Sequence, residues 1–173
     1  MSGPAQLQIF RKVFIYLKKF LFDMDFQDVK GRKVKSPKKY SWRPAVYGVL
    51  IENNKLLFIQ PDWDGKYCLP GGSMDLGESP VESLNREFIE ETGYRVKVSP
   101  QPIYVDSLLF GDPGEGKFFQ RINVYYEVKR TSKKQKTDLD KEAKELIWKN
   151  IRGLKSNDFT YFQRNFLKTI LRK

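Results

Sequence analysis

The sequence predicts an α/β fold in which helices flank a mixed β-sheet. Three observations lead to this prediction. Apolar and β-branched residues form short strand-like runs between turn residues, a well-capped amphipathic helix interrupts these runs, and a second amphipathic stretch closes the chain. At 173 residues the chain can bury the core of one domain, and no apolar run approaches the roughly 18 residues of a membrane-spanning helix.

The first 41 residues are expected to lie outside the main domain, which we place at 42–173. Apolar side chains recur in this segment at helical spacing with basic side chains between them, which predicts a basic amphipathic helix. The apolar positions are Ile9, Phe10, Val13, Phe14, Leu17, Phe20, Leu21 and Met24. Such a helix can pack on its own domain, form a homodimer contact or lie on a membrane interface. Lys30 to Lys39, with six basic residues, predicts an exposed linker.

The main domain is expected to alternate strands with two helices. Asn53-Asn54 lies between the first two strand-like runs and predicts a turn, and Pro70-Gly71-Gly72 predicts a second turn before the first helix. In chain order the predicted elements are strands at 45–51 and 56–59, a short strand at Tyr67, a helix at 80–92, strands at 94–98, 103–110 and 118–128, and a helix at 159–171.

The segment Gly111 to Lys117 has the spacing of a phosphate-binding P-loop. However, Phe118 stands where such a loop needs a metal-binding Ser or Thr, and strand-like runs lie on both sides instead of a strand and a helix. The segment therefore predicts a hairpin turn. Lys117 stays a candidate substrate-binding residue at this turn.

The helix at 80–92 has clear signals at both ends. Ser79 and Glu82 form a capping-box pattern, and Pro80 suits the first helical position. Gly93 follows the last turn, where glycine adopts the left-handed conformation at little cost. These signals predict a helix that begins at Pro80 and ends near Thr92.

Two stripes of this helix have different characters. Val81, Leu84 and Phe88 are expected to pack on the sheet, and an adjoining stripe carries glutamates at 87, 90 and 91. Like charges at this spacing repel one another, so a cation is expected nearby. Carboxylate oxygens suit Mg²⁺ or Mn²⁺. The alternative is a solvated acidic helix face.

The run from Gly72 to Tyr94 resembles the signature box of the Nudix hydrolases. Its pattern is Gly, five residues, Glu, seven residues, Arg-Glu, an apolar residue, any residue, Glu-Glu, any residue, Gly and an apolar residue. Tyr94 is the one departure, because the family usually has an aliphatic residue there. The resemblance covers about Arg43 to Lys173 and implies the Nudix α/β/α sandwich with a mixed sheet.

The resemblance also implies roles for single residues. It makes Glu87, Glu90, Glu91 and the Gly71 carbonyl ligands of Mg²⁺, with Mn²⁺ as a substitute, and it makes Arg86 the residue that holds Glu87 in place. Glu78 is expected near the site. Glu142 stands six residues before Trp148, where the family often has a further acidic residue, and it is a candidate metal ligand and catalytic base.

Composition restricts the chemistry. The chain has no histidine, which excludes Ser-His-Asp and Cys-His nucleophile systems and histidine zinc sites. The single cysteine, Cys68, cannot form an internal disulfide and is expected in the core, which together with the lack of a signal sequence favours the cytoplasm. Carboxylates must therefore perform the chemistry.

Charge is uneven along the chain, with a net +7 over residues 1–41, −5 over 42–128 and +9 over 129–173. Basic ends can attract polyanionic substrates, RNA or an anionic membrane, or they can serve solubility alone. Arg43 is either a phosphate contact or a surface charge at a strand end. Trp63, Phe118 and Phe119 are either core residues or platforms for a base.

Three functions are compatible with these observations. The first is Mg²⁺-dependent hydrolysis of a phosphoanhydride in a small substrate, a nucleoside diphosphate linked to another group. The second is a nucleotide-binding or RNA-binding module on a Nudix scaffold, and the third is removal of pyrophosphate from RNA 5′ ends. Intact glutamates favour an enzyme, and the substrate stays open.

Overall fold

The structure is a computed structural model that describes residues 26–28, 30–35, 37, 39–61, 65–133 and 143–171. The expected N-terminal amphipathic helix, Trp63 and Glu142 lie outside these residues. The described strands are β1 (Phe26–Gln27), β2 (Lys33–Val34), β3 (Ser41–Glu52), β4 (Lys55–Pro61), β5 (Gly71–Ser73), β6 (Val96–Val98), β7 (Tyr104–Asp112), β8 (Lys117–Arg130) and β9 (Ala143–Asn150). The described α-helices are α1 (Pro80–Thr92) and α2 (Arg164–Leu171).

The described strands form one mixed sheet in the order β2-β1-β7-β8-β3-β4-β9. Its centre is the long parallel pair β3 and β8, in register from Ser41 opposite Phe119 to Leu50 opposite Val128. β3 also pairs with β5 through 45–47 and with β4 at its carboxyl end, while β6 pairs with the end of β8. β3 thereby brings the segment before α1 into contact with the rest of the sheet.

Local turn signals predicted the two hairpins correctly. Asn53 and Asn54 have positive φ angles of 49° and 60° in the turn between β3 and β4, a conformation that asparagine tolerates. The segment that resembles a P-loop is the turn between the antiparallel strands β7 and β8. The hairpin interpretation is therefore confirmed.

Residues 33 and 34 were expected in an exposed linker, but the structure places them in a strand. They form β2, which pairs with β1, and β1 in turn pairs with β7. The carboxylate of Asp28 supports the turn between the two strands. It accepts hydrogen bonds from the backbone N–H groups of Lys30 and Arg32, both at 2.9 Å, and forms an ion pair with the Arg32 side chain at 2.6 Å. These bonds add to the backbone hydrogen bonds of the turn, from the Asp28 N–H to the Arg32 carbonyl at 3.0 Å and from the Gly31 N–H to the Asp28 carbonyl at 2.8 Å.

The core consists of two clusters on opposite faces of the sheet. One face packs against α2 and the segment before it, with Tyr47, Tyr125 and Phe166 fully buried. The other face packs against α1, with Val46, Leu84 and Phe88 fully buried. Residues on β3 alternate between the two faces, as a strand covered on both sides requires.

The last helix begins later than its spacing predicts. Phe159 pairs with Tyr67 in an isolated bridge, Tyr161–Gln163 forms a 3₁₀ turn, and α2 begins at Arg164. Phe159 and Phe162 have helical spacing because both side chains enter the same core cluster. The spacing therefore predicted a helix that begins too early in the chain.

Besides β1 and β2, the strand β9 was missed. β9 pairs along the whole of β4, and Trp148 lies opposite Leu57. Lysines and a glutamate separate its few apolar residues, so its sequence lacks a clear period-two pattern. Within the described part of the chain, no helix has the length and apolar character needed to cross a membrane.

Candidate functional site

The glycine turn before α1 brings backbone and carboxylates together. Gly71 has a φ of 132°, and a Cβ atom there would lie 2.8 Å from Cα of Tyr47. Only glycine fits, because both the conformation and the space exclude a side chain. The Gly71 N–H donates a hydrogen bond of 2.7 Å to Oε2 of Glu91, which is 9% exposed. The turn therefore fixes one predicted metal ligand from the side of the sheet.

The ends of α1 agree with the sequence prediction. The Ser79 side chain accepts from the backbone N–H of Glu82, and the Glu82 carboxylate accepts from the Ser79 backbone N–H at 2.9 Å. Gly93 has a φ of 71° and its N–H donates to the Ile89 carbonyl. This capping box and left-handed cap set where the helix begins and ends, and so set the direction of every glutamate on it.

The apolar stripe of α1 was predicted correctly at two of three positions. Leu84 and Phe88 are fully buried, and the Phe88 ring lies so close to Gly48 of β3 that a side chain there would overlap it. Val81 is 45% exposed, so its predicted packing is wrong. It lies in the first turn, where the helix has not yet reached the sheet. The close contact of Phe88 with Gly48 holds the glutamate stripe near β5.

Arg86 is the centre of the carboxylate cluster. Its Nε and Nη2 donate to the two oxygens of Glu78 at 2.7 and 2.9 Å. Its Nη1 donates to Glu87 at 3.0 Å and to Glu90 at 3.2 Å. Nη2 also donates to the Ser73 carbonyl at 3.2 Å. The expected contact of Arg86 with Glu87 is present. Arg86 also forms a bidentate ion pair with Glu78, which the sequence analysis did not predict.

These contacts change proton affinities. The hydrogen bond from Arg86 is the main reason why the pKa of Glu78 falls from 4.5 to about 2. The same bond is the first cause that raises the pKa of Arg86, against burial, which lowers it. Both groups are therefore ionised across the pH range in which proteins are stable.

The three helix glutamates differ in their surroundings. Glu87 lies over Gly72, because a Cβ atom at Gly72 would lie 2.6 Å from the Glu87 Oε1. Glu91 accepts from Gly71, and Glu90 is the most open, with its side chain 46% exposed. Within the described ranges, no three acidic or sulfur side chains converge closely enough to hold one ion. The carboxylates nevertheless supply the hard oxygen donors that Mg²⁺ prefers, and the absence of a side chain at Gly72 lets Glu87 lie against β5.

Two predicted substrate-binding residues lie in different places. Arg43 Nε donates to Ser73 Oγ at 2.6 Å, so Arg43 contacts the residue whose carbonyl binds Arg86. Lys117 forms an ion pair with Glu115 at the hairpin turn, and among the described residues it has no contact with the carboxylates of α1. The structure thus brings Arg43 to the site and does not bring Lys117 there.

Residues on the neighbouring strands were missed by the sequence analysis. Tyr47 lies opposite Gly71 in the pairing of β3 with β5, and its hydroxyl accepts a hydrogen bond of 2.6 Å from Arg121 Nη2. Burial raises the pKa of Tyr47, so the hydroxyl stays protonated. The approach of Arg121 to Tyr47 depends on the register of β3 with β8, which sequence spacing does not reveal.

Cys68 and the aromatic candidates are largely structural. Cys68 is buried, as expected. Phe118 contacts Phe26 edge to face at 5.6 Å, and the face of Phe119 is covered by the Arg43 guanidinium at 4.8 Å. A surface cleft of about 560 Å³ lies elsewhere, between 65–67 and 149–158, and contains none of the glutamates of α1. The chemistry of the residues, more than cavity size, therefore identifies the site.

Comparison with known proteins places these features in a family. A sequence profile described as the NUDIX domain matches residues 41–170. A MutT-like protein from Streptomyces ambofaciens is 44% identical over 55 residues, which cover 31% of this chain and 36% of that protein. An ADP-ribose pyrophosphatase from Methanocaldococcus jannaschii is 40% identical over 57 residues, which cover 31% of this chain and 34% of that protein. Matches to three further relatives cover 26%, 38% and 48% of their lengths, so the chain spans less than half of these curated relatives.

The fold comparison agrees with the profile. The crystal structure of a MutT protein from Bacillus halodurans has a TM-score of 0.59 and 24% identity, and the match covers 76% of this chain and 83% of that one. This likeness shows the fold, an α/β architecture with a mixed sheet and flanking helices. Because the profile extends over most of the chain and the box lies within it, this chain belongs to the NUDIX domain family.

Proposed function

We propose that this chain hydrolyses a phosphoanhydride linkage in a nucleoside diphosphate joined to another group, with Mg²⁺ as its cofactor. The observation that carries the proposal is the array of carboxylates on α1, held by Arg86 on one side and by the Gly71 N–H on the other. The name of one matched relative, an ADP-ribose pyrophosphatase, supports a diphosphate substrate. The substrate group beyond the diphosphate is left open by this array.

Each residue of the array has a proposed role. Glu87, Glu90, Glu91 and the Gly71 carbonyl would hold the divalent cation, which when bound supplies an activated water and neutralises phosphate charge. Arg86 orients Glu87 and Glu90 through Nη1. Electrostatic preorganisation of this kind lowers the barrier because the groups need not rearrange during the reaction.

The roles of proton transfer and phosphate binding are proposed for other residues. Glu142 stays a candidate ligand and general base, and Glu90 is a second candidate base because its side chain is the most open of the three. Arg43 is proposed to bind a substrate phosphate, since it contacts Ser73 beside Arg86. No substrate role is proposed for Lys117, whose ion pair with Glu115 lies in the hairpin turn.

Glu91→Gln tests the proposal. The amide oxygen introduced at position 91 can still accept from the Gly71 N–H, so the variant is expected to fold, while loss of the negative charge removes a metal ligand. We expect activity to fall about a thousandfold, which corresponds to about 4 kcal/mol of transition-state stabilisation. The matched control is Glu127→Gln, an exposed position on β8, a strand that β3 separates from β5.

The assay uses Mg²⁺ and a panel of phosphoanhydrides. The panel contains ADP-ribose, dinucleoside polyphosphates, nucleotide sugars, oxidised nucleoside triphosphates and 5′-triphosphate RNA. Turnover of at least one compound by the parent and by Glu127→Gln, with loss in Glu91→Gln, would support the hydrolase. Tight binding without turnover across the panel would instead identify a binding module.

A further inference from the structure

The sheet face that carries α1 continues beyond the helix. α1 packs over the later parts of β3 and β8, where Val46, Leu50 and Val128 are buried. Paired residues on adjacent strands share a face, so the earlier parts of both strands extend this face together with β7. Two rows of paired residues cross the three strands there, and we call them the open face: Leu109, Gln120 and Trp42, then Ser107, Ile122 and Pro44.

The open face is uncharged and exposed. Trp42 is 65% exposed, and Val105, which begins the next row towards α1, is 52% exposed. The Gln120 amide donates to the Ser107 hydroxyl at 3.3 Å, so the two polar side chains bond to each other. Exposed apolar surface of this kind is typical of an interface with a second apolar surface. RNA would instead need cations, which the six side chains of the open face do not supply.

The chain enters the described structure at the rim of the open face. Phe26 begins β1, which pairs with β7, and Phe26 is 1% exposed. Its ring contacts the ring of Phe118 at 5.6 Å. Phe118 stands two residues before Gln120 on β8, so both side chains project from the same face of the sheet. The residues before Phe26 are therefore attached beside the open face and on the same side of the sheet.

The segment before Phe26 lies outside the described residues, and its sequence matches the open face in character and size. Its apolar side chains recur at helical spacing over the 16 residues 9–24, and its basic side chains lie between them. A helix of this length would be about 24 Å long and about 10 Å wide. The face spans three strands, about 10 Å, and extends about 20 Å along β7 when it is continued to Ile103, which is 48% exposed.

The connection allows this segment to lie on the open face. From Leu21 to Phe26 an extended chain reaches about 17 Å, which exceeds the width of a helix. A tether this short gives the segment an effective concentration at the face in the millimolar range. A second copy of the chain at micromolar concentration would therefore compete poorly for the same surface.

We infer that residues 9–24 form an amphipathic helix whose apolar side packs on the open face, next to α1. The sequence allows three positions for such a helix, namely its own domain, a homodimer contact and a membrane, and the position of Phe26 favours the first. The basic side of the helix then faces solvent. This inference is independent of the proposed hydrolysis, because neither surface contains a glutamate of α1.

Amide hydrogen exchange of the full chain, measured by mass spectrometry, tests the contact. Val105→Asp places a charge inside the interface, and Ile51→Asp is the matched control on β3, outside the open face and 48% exposed. The amides of residues 9–24 should exchange at least about tenfold faster in Val105→Asp than in the parent, because a buried unpaired charge opposes docking. In Ile51→Asp they should exchange as in the parent. Unprotected amides in the parent, or equal protection in all three proteins, would overturn the inference.

A reciprocal variant separates loss of the contact from damage to β7. Phe14→Asp alters the segment and leaves the sheet unchanged. We expect Phe14→Asp and Val105→Asp each to lower the thermal midpoint by about 3 °C or more. The double variant should lie no lower than the less stable single variant, because both changes remove the same contact. Shifts that add in the double variant would show that the two positions do not interact, and would contradict the inference.

Two measurements distinguish the other possible occupants. Sedimentation equilibrium at micromolar concentration should show a monomeric parent, and a dimer that Val105→Asp dissociates would assign the open face to a second copy. Flotation with vesicles of phosphatidylcholine and phosphatidylserine at physiological salt should leave the parent unbound. Vesicle binding that Phe14→Asp abolishes would assign the apolar side of residues 9–24 to a membrane. Either of these results would overturn the inference.

Discussion

Arg86 shows how one residue organises the carboxylates of the site. The sequence pattern predicted its contact with Glu87, which the structure contains at 3.0 Å. The shorter bonds to Glu78 could not be derived from spacing, because they depend on the path of the loop between β5 and α1. Glu87 and Glu90 carry like charges and repel each other. The Arg86 guanidinium offsets this repulsion because it contacts both carboxylates.

The pKa of Glu78 predicts how stability depends on pH. Its folded value of about 2 lies below the ordinary 4.5, so ionised Glu78 favours the folded state. This contribution is complete above pH 4.5 and is lost as the pH falls from 4.5 towards 2. The difference in free energy of unfolding between the parent and Glu78→Gln should therefore be largest above pH 4.5 and shrink below it.

Urea denaturation at a series of pH values measures this difference. Glu127→Gln, which removes an exposed carboxylate on β8, is the control. A constant gap between the parent and Glu78→Gln from neutral to acidic pH would show that Arg86 does not depress the pKa of Glu78.

At the scale of the element, local signals predicted the limits of α1 and of both hairpins. The capping box and the glycine cap act within a few residues of the chain, so they are visible in the sequence. The start of α2 and the whole of β9 depend on tertiary contacts, namely the bridge of Tyr67 with Phe159 and the pairing with β4. These two elements could not be predicted from periodicity alone.

The glycine turn before α1 offers a matched pair of substitutions. Gly71 has a φ of 132° and no space for a Cβ atom, whereas Gly77 has a φ of 94° and no heavy atom within 4 Å. Gly77→Ala should cost about 1 to 3 kcal/mol of stability through backbone strain alone. Gly71→Ala should cost more and should also lower activity, because β5 must move away from Tyr47 and the N–H that binds Glu91 must move with it.

Thermal denaturation and the hydrolysis assay measure the two effects. We expect the thermal midpoint of Gly71→Ala to lie below that of Gly77→Ala, and the activity of Gly77→Ala to stay near that of the parent. Equal activity losses in the two variants would mean that the position of the Gly71 turn does not control Glu91.

At the scale of the whole molecule, the parallel register of β3 and β8 brings distant parts of the chain to one place. Arg43 and Arg121 lie 78 residues apart in sequence (121 minus 43) and are neighbours in the sheet. The fold class and the glutamates were predictable because they rest on a contiguous motif between Gly72 and Tyr94. The arginine pair was not, since no local pattern reports which strand pairs with which.

The core explains why this register is held. Tyr47, Tyr125 and Phe166 stack in one cluster, with ring centroids 5.4 Å apart for the first pair and 4.3 Å apart for the second. Phe88 and Leu84 hold α1 on the opposite face. The two clusters together hold β3 and β8 in register and hold α1 against the sheet.

The central claim is that the carboxylates of α1 hold a divalent cation. Mn²⁺ titration followed by electron paramagnetic resonance tests it most directly, with the parent, Glu90→Gln and the control Glu127→Gln. Glu90 is chosen because its exposed side chain makes a folding defect the least expected. The account predicts Mn²⁺ affinity at least about tenfold weaker in Glu90→Gln and unchanged in the control. Equal affinity in all three proteins would contradict it.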